Sequence, residues 1–148
     1  MIRFGFPGNP EDLAEIGPTL PVQIGFDPQF RPEDPHTVIL PERRYPALID
    51  TGAHSSCIDS QLAEALGLPI IDRIRVGGVG GSTEVNAHLA QIYVPSLDHT
   101  IYGEFSGVHL ALGGQPHQAL LGRDFLRRFT FAYEGRNGTC VIVDESRR

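Results

Sequence analysis

An apolar segment that ends in an aspartate is the part of this sequence best suited to chemistry. In "YPALIDTGAHSS", residues 45–56, the run Ala47-Leu48-Ile49 leads directly into Asp50, and Thr51-Gly52 then interrupts the apolar pattern. An aspartate before a glycine is also a common start of a turn, because its carboxylate can accept a hydrogen bond from the nearby backbone. Asp50 is therefore either a turn residue or a carboxylate in a cleft, where it can serve as a general base.

Several other reaction classes are disfavoured by the residues present. All twelve basic residues are arginine, which excludes a Schiff-base lysine and a phosphate-loop lysine. Gly77–Gly81 does not match the dinucleotide fingerprint, because position 83 is threonine and a strand pattern follows. There is no G-x-S-x-G nucleophile elbow. His54 and Cys57 have a spacing found in metal sites, but no second ligand pair accompanies them, so we expect no metal and no cofactor.

Two further features follow Asp50 along the chain. The first is the glycine-rich tip Gly77–Gly81 between two predicted strands, and the second is Leu120-Leu121-Gly122, with Arg123-Asp124 opening a predicted short helix. In this order, the features resemble the retroviral-type aspartic proteases (retropepsins) and their bacterial relatives, over about Pro21 to Val143. "ALIDTGA" resembles the active-site loop of that family, "VGGVGG" its flap tip, and "LLGRDFL" its second apolar-apolar-Gly element and C-terminal helix. "FTFAYEGRNGTCVIV" resembles the closing hairpin of the bacterial members.

The resemblance implies a fold and a role for each motif. The implied fold is mainly all-β with one or two short helices, a retropepsin-like acid protease lobe in each chain of a closed β-rich homodimer. Asp50 is then catalytic, Thr51 bonds across the dimer, and Gly52 lets the peptide backbone approach. The implied substrate-binding residues are Gly52, Ala53, His54, Gly77, Gly78, Val79 and Gly80, and the implied structural residues beside the site are Leu121, Gly122 and Arg123.

One position departs from the family pattern. Retroviral members commonly have an acid two residues after the glycine of Asp-Thr-Gly, and it pairs with the arginine that follows the second element. Here that position is His54, so Arg123 lacks the expected partner, and we expect the adjacent Asp124 to point elsewhere. A histidine at a cleft edge would gain charge below neutral pH, although such a residue is more often solvated.

The number of Asp-Thr-Gly motifs predicts the oligomeric state. An aspartic protease needs two carboxylates about 3 Å apart that share one proton. The ionised one activates a water as general base, and the protonated one polarises the scissile carbonyl. This sequence has one such motif, so the second carboxylate must come from another copy through a twofold contact. We therefore predict a homodimeric endopeptidase; the alternatives are a catalytically silent peptide-binding or dimerisation module and a self-processing domain.

The composition predicts one β-rich domain over residues 1–148, with an N-terminal extension and a Pro-rich loop over about 1–46. Seventeen glycines and twelve prolines separate short apolar segments, as in an all-β fold with many turns. "PTLPVQIGFD" alternates as a half-buried strand, "HTVIL" predicts a short edge strand, and "DSQLAEALGLP" predicts a helix capped by Asp59 or Ser60. A change of apolar parity predicts a bulge near Ala90-Gln91, and Asn137-Gly138 predicts a hairpin turn. The N-terminal residues are expected to extend the interface, cover the cleft or be processed.

Charge and cysteine content restrict the partners and the compartment. The net charge of −6 disfavours nucleic acid, which requires a basic face. No apolar run approaches the ~20 residues of a membrane span, and no signal-peptide pattern begins the chain. Cys57 and Cys140 are expected to be free thiols. We therefore expect a cytoplasmic protein whose partners are a second copy and a peptide substrate.

Overall fold

The computed structural model describes residues 1–78 and 80–147, and β-strands dominate it, which confirms the predicted fold class. The strands are β1 (Ile2–Gly5), β2 (Thr19–Gly25), β3 (Tyr45–Ile49), β4 (Cys57–Asp59), β5 (Ile70–Gly78), β6 (Gly81–Val94), β7 (His99–Val108), β8 (Ala119–Leu121), β9 (Thr130–Glu134) and β10 (Thr139–Val143). The α-helices are α1 (Pro10–Ile16), α2 (Ser60–Ala65) and α3 (Arg123–Leu126). In the described part of the chain, no helix combines the length and the apolar character needed to cross a membrane.

Six strands close into a barrel around the main core. Their hydrogen-bonded order is β2-β3-β8-β4-β7-β6, and a further pairing of β2 with β6 joins the two ends. The alternation predicted for β2 is confirmed at Val22 and Ile24, which are fully buried, but it is wrong beyond them, since Phe26 is exposed and Asp27 is buried. Every one of the six strands contributes apolar side chains to the core, namely Leu20, Val22, Ile24, Ala47, Ile49, Ile58, Ala90, Ile92, Val94, Phe105, Ala119 and Leu121.

A parallel pair of strands fixes where the first two motifs meet. β8 lies between β3 and β4, parallel to β3 and antiparallel to β4. In the parallel pair, Ile49 lies opposite Leu121. Because parallel strands share their carboxyl ends, the residues that follow them, Asp50 and Gly122, lie side by side.

The β5–β6 hairpin extends beyond the barrel. β6 pairs with β7 from Ala87 to Val94, whereas Gly81–Asn86 pair with β5 alone. The outer half of the hairpin is therefore a two-stranded ribbon. Such a ribbon can move as a unit, because it has fewer lateral partners than the strands of the barrel.

A second, smaller sheet contains the N-terminal strand. Its order is β1-β10-β9, and Ile2 lies opposite Ile142. The turn predicted at Asn137-Gly138 joins β9 to β10, as the hairpin motif requires. The helix α1 was not predicted, although its start has a recognisable cap: Asp12 N donates to Asn9 Oδ1 at 3.2 Å.

Two local predictions are wrong. "HTVIL" is not a strand; Pro35–Thr37 form a 3₁₀ turn, and Ile39 N donates to the buried Asp27 Oδ2 at 2.9 Å instead of to a neighbouring strand. No bulge lies near Ala90-Gln91, because the pairing of β6 with β7 is continuous there. The irregularity is in β5 at Ile71, and the apolar parity of β6 changes where its other neighbour changes from β5 to β2.

Candidate active site

Asp50 follows β3 and is held by the backbone on both sides. Its N–H donates to Leu121 O at 2.9 Å, which ties it to the end of β8. Its Oδ1 accepts from Gly52 N at 2.9 Å, and Ala53 N donates to Asp50 O at 3.2 Å. Asp50 thus does start a turn, yet it is half-buried and, within the described residues, Oδ2 has no bonding partner. The two interpretations of Asp50 are therefore compatible.

Glycines lie at two crowded positions around this carboxylate. A Cβ on Gly52 would lie 3.2 Å from Asp50 Oδ1. A Cβ on Gly122 would lie 2.8 Å from Ala53 O and 2.9 Å from the carbonyl carbon of Ser55, both backbone atoms that cannot easily move. Gly122 therefore lets the loop after Asp50 pack directly on the start of α3.

The loop after Asp50 is bonded along its length to the segment that opens α3. Arg123 N donates to Ala53 O at 2.8 Å, and Asp124 N donates to His54 O at 3.1 Å. The Arg123 guanidinium donates from Nη1 to Thr51 O at 2.8 Å. Arg123 therefore stabilises the turn through a carbonyl group, although the family's usual acidic partner is absent at His54. The His54 side chain is exposed, with Nδ1 2.9 Å from Ser55 Oγ.

The Asp124 carboxylate joins the same two segments through Ser56. Ser56 N donates to Asp124 Oδ2 at 2.9 Å, and Ser56 Oγ donates to Asp124 Oδ1 at 2.6 Å. Ser56 Oγ in turn accepts from Gly122 N at 3.0 Å, and Phe125 N donates to Asp124 Oδ1 at 2.8 Å. The role of Ser56 was not predicted, because Ser56 and Asp124 lie far apart in the chain and belong to no local pattern.

The thiol of Cys57, which lies beside the site, has low reactivity. Burial, followed by the repulsion of Asp50 and other nearby carboxylates, raises the pKa of Cys57 to about 12. Burial also raises the pKa of Cys140. Both thiols stay protonated at neutral pH, and both are free. Among the described residues, no group of three or more His, Cys, Asp or Glu side chains is placed to hold a metal ion.

The glycine-rich tip of the β5–β6 hairpin has open space around it, and the structure describes part of it. Gly78 and Gly81 form the last pair of the hairpin, and Val79, a predicted substrate-binding residue, lies outside the described residues. A Cβ on Gly77 or Gly80 would meet no atom within 4 Å. Beside the tip lies a cavity of about 330 Å³, here called the tip cavity, lined by Val76, Gly77, Gly80, Gly81, Thr83, Val85, Val108 and His109.

The structure brings some of the predicted site residues together and not others. Leu121, Gly122 and Arg123 contact the loop that carries Asp50, Thr51 and Gly52. The hairpin glycines form a separate group around the tip cavity, whose described lining does not include Asp50. In the single chain, the side chain of Thr51 and the backbone at Gly52 are exposed. An exposed turn beside a half-buried carboxylate leaves this surface open to a partner molecule.

These observations define a carboxylate site on a closed β-barrel lobe. A sequence model of the family described as gag-polyprotein putative aspartyl protease matches residues 37–128, which is more than half of the chain. The chain belongs to this family, and the predicted retropepsin-like identity is confirmed. The narrower prediction of a bacterial-type member stays a prediction.

Solved structures similar to this chain include two retroviral proteases. One is the EIAV protease complexed with the inhibitor HBY-793, with 21% identity, a TM-score of 0.49, and coverage of 74% of this chain and 85% of that one. Another is the solution structure of simian foamy virus (mac) protease, with 13% identity, a TM-score of 0.46, and coverage of 74% and 91%. No curated protein matches the chain in sequence.

Proposed function

We propose that this protein is an aspartic endopeptidase whose active unit is a homodimer, with one Asp50 carboxylate from each copy. Family membership supports the class of reaction. The observation that carries the proposal is that the nearby carboxylates already accept hydrogen bonds from other groups of the chain. Asp124 accepts from Ser56 and Phe125, and Asp59 accepts from the backbone N–H groups of Leu62, Leu110 and Ala111. Both are already occupied, so neither offers a second free carboxylate beside Asp50.

A second copy meets the requirement of the chemistry. Two Asp50 side chains across a twofold axis share one proton, because two negative charges at that distance cannot both persist. The ionised carboxylate takes a proton from a water molecule while the water oxygen bonds to the scissile carbonyl carbon. The protonated carboxylate donates a hydrogen bond to the carbonyl oxygen. Transfer of a proton to the amide nitrogen then accompanies C–N cleavage. The products are a carboxylic acid and an amine.

The remaining site residues receive supporting roles in this proposal. Thr51 and Gly52 are exposed in the single chain and lie where the second copy would meet the first. Ala53 and His54 continue the loop toward the substrate, and the hairpin tip at Gly77, Gly78, Val79 and Gly80 acts as a lid over an extended peptide. A single domain over residues 1–148 and a cytoplasmic location also stay predictions.

A cleavage assay on a peptide library, read by mass spectrometry from acidic to neutral pH, tests the proposal. We expect cleavage by the wild type, loss of cleavage in Asp50→Asn, and no change in Asp34→Asn, a matched substitution in an exposed loop. Activity that persists in Asp50→Asn contradicts the assignment of the catalytic residue. If wild type and Asp50→Asn are equally inert at every pH, the enzyme proposal fails and a binding or self-processing module replaces it.

A further inference from the structure

A larger cavity lies at the base of the hairpin and adjoins the tip cavity, because Val85 and His109 line both. It encloses about 630 Å³ between α2 and the strands β5 and β6, and is here called the base cavity. Side chains alternate between the two faces of a hairpin, so paired residues share a face. The pairs Ile70–His88 and Arg73–Asn86 line the base cavity, whereas the pair Val76–Thr83 lines the tip cavity.

A buried histidine presents an unused acceptor to the base cavity. His88 is 4% exposed, and its Nδ1 lies 3.1 Å from Leu68 O. A carbonyl oxygen can only accept, so Nδ1 carries the hydrogen, and in the neutral ring Nε2 is left as an acceptor. No group in the described part of the chain bonds to Nε2. A Cβ on Gly107 would lie 3.1 Å from Nε2, so the glycine keeps the space beside this atom free.

The charged lining leaves one more acceptor without a donor. Arg73 donates from Nη1 to Asn86 Oδ1 at 2.9 Å. Glu84 is shared between two arginines, with Oε2 3.9 Å from Arg73 Nε and Oε1 3.6 Å from Arg75 Nη2. Glu64 lines the cavity from α2, and within the described residues it forms neither an ion pair nor a side-chain hydrogen bond. Glu64 is exposed, and its carboxylate and the buried His88 Nε2 are two lining acceptors to which a cationic donor can bond.

The apolar part of the lining complements these acceptors. Ala63 and Leu68 are buried and form part of the cavity wall, together with Val85. An occupant should therefore combine an apolar stem with a hydrogen-bond donor of positive charge, since a buried acceptor is most stable when a donor reaches it. The net charge of −6 favours the approach of a cation.

We propose that the base cavity is a binding site for an ammonium or guanidinium group carried on an aliphatic stem, as in a lysine or arginine side chain. The stem lies against Ala63 and Leu68, and the cation donates to the Glu64 carboxylate and to His88 Nε2. Because the lining comes from α2 and from both hairpin strands, the bound cation joins the hairpin to the helix. The site does not depend on peptide cleavage.

NMR titration of the whole chain with three probes tests the site. The probes are a lysine residue capped at its backbone termini, n-butylamine, and the capped lysine acetylated on Nζ, which removes the charge. We expect saturable shifts of the His88 ring and the Val85 amide with the capped lysine and with n-butylamine, and none with the acetylated probe. Equal affinity for the two cations indicates a site for the amine alone, from a peptide or a free amine; tighter binding of the capped lysine indicates a peptide.

Two variants with a matched control complete the test. Glu64→Gln, on the surface of α2, should weaken the affinity of the capped lysine by about fivefold or more through loss of a charged acceptor. Glu15→Gln makes the same change on α1 and should leave affinity unchanged. Gly107→Ala should abolish binding by displacing the His88 ring; if this variant does not fold, the two glutamine variants decide. Equal shifts with all three probes, shifts that do not saturate, or an unchanged affinity in Glu64→Gln would overturn the proposal.

Discussion

At the scale of single residues, the site depends on hydrogen bonds that hold the loop after Asp50. Ser56 is the centre of this arrangement, because its hydroxyl both donates to Asp124 and accepts from Gly122 N. Ser56 is 2% exposed, so water does not readily replace either bond. Removal of the hydroxyl leaves a carboxylate oxygen and a backbone N–H with fewer partners in a largely dry environment.

We therefore expect Ser56→Ala to destabilise the protein by about 1–3 kcal/mol, the usual cost of leaving buried polar groups unsatisfied. Ser55→Ala, one residue away on an exposed side chain, should change stability by less than ~0.5 kcal/mol. Urea unfolding of both variants and the wild type gives the two differences. Equal midpoints for Ser56→Ala and Ser55→Ala would show that the Ser56 hydroxyl does not hold the loop.

A second residue makes the stability of the fold depend on pH. His117 is 1% exposed, with Nε2 2.8 Å from Thr19 Oγ1 and with no partner for Nδ1 among the described residues. Burial lowers the pKa of His117. In the unfolded chain the imidazole takes a proton near the ordinary value of about 6.5, whereas in the folded chain it resists protonation.

We therefore expect the free energy of unfolding to fall as the pH drops below the ordinary histidine range. The contribution of His117 is fully present above about pH 6.5 and is lost toward its lower folded-state pKa. His117→Gln, whose amide can still reach Thr19, should flatten this dependence, while the exposed His54→Gln should not. Denaturant midpoints between pH 5 and 8 measure the slopes. If wild type and His117→Gln have the same slope, another group is responsible.

The sequence identified the residues that belong to short local motifs. Asp50, Gly122 and Arg123 were found because Asp-Thr-Gly and the apolar-apolar-Gly element each lie within a few adjacent positions. The cap at Asp59 was predicted and bonds Leu62 N. The bonds of Asp59 to Leu110 and of Ser56 to Asp124 were missed, because the partners come from segments that are distant in sequence. A single sequence contains no local signal for such contacts.

At the scale of elements, local patterns predicted β2, α2 and the C-terminal hairpin, where alternation, capping and turn residues agree. Predictions failed where one element meets several neighbours. β6 pairs successively with β5 and β2, so its change of apolar parity reflects a change of partner rather than a bulge. In the Pro-rich loop, Asp27 takes the backbone N–H of Ile39, which would otherwise pair in a strand.

The tip of the β5–β6 hairpin carries a prediction that rests on the proposed function. Gly81 has φ = 112°, a conformation that a residue with a Cβ rarely adopts, although the space around it is open. Gly81→Ala should therefore disfavour this tip conformation by about 1–2 kcal/mol and lower kcat/KM by roughly tenfold. It should have little effect on global unfolding, because the outer hairpin pairs with no other strand.

Gly103→Ala is the matched control for this substitution. Gly103 has φ = 119° and an equally open surrounding, but it lies in β7, away from the tip. This variant should lower the unfolding midpoint and leave kcat/KM nearly unchanged. If both variants reduce kcat/KM by the same factor, strain at the hairpin tip is not the cause.

At the scale of the whole molecule, the proposed mechanism needs two copies of the chain, because each would contribute one Asp50 carboxylate. Asp50 has one oxygen bonded to Gly52 N, while Asp59 and Asp124 are engaged in structural bonds. A dimer of wild-type and Asp50→Asn subunits would have one carboxylate in place of two. Such a mixed dimer cannot share a proton between two carboxylates, so it should be inactive.

Mixing of subunits therefore tests the assembly directly. When equal amounts of wild type and Asp50→Asn are allowed to exchange at high concentration, about one quarter of the dimers carry two Asp50 side chains. Because the number of dimers doubles, total activity should fall to about one half of that of the wild type alone. Adding the same amount of Asp34→Asn should instead raise the total activity, since both partners are complete. A cleavage rate that Asp50→Asn leaves unchanged after exchange would mean that each chain acts alone, and the second carboxylate would then have to come from within the same chain.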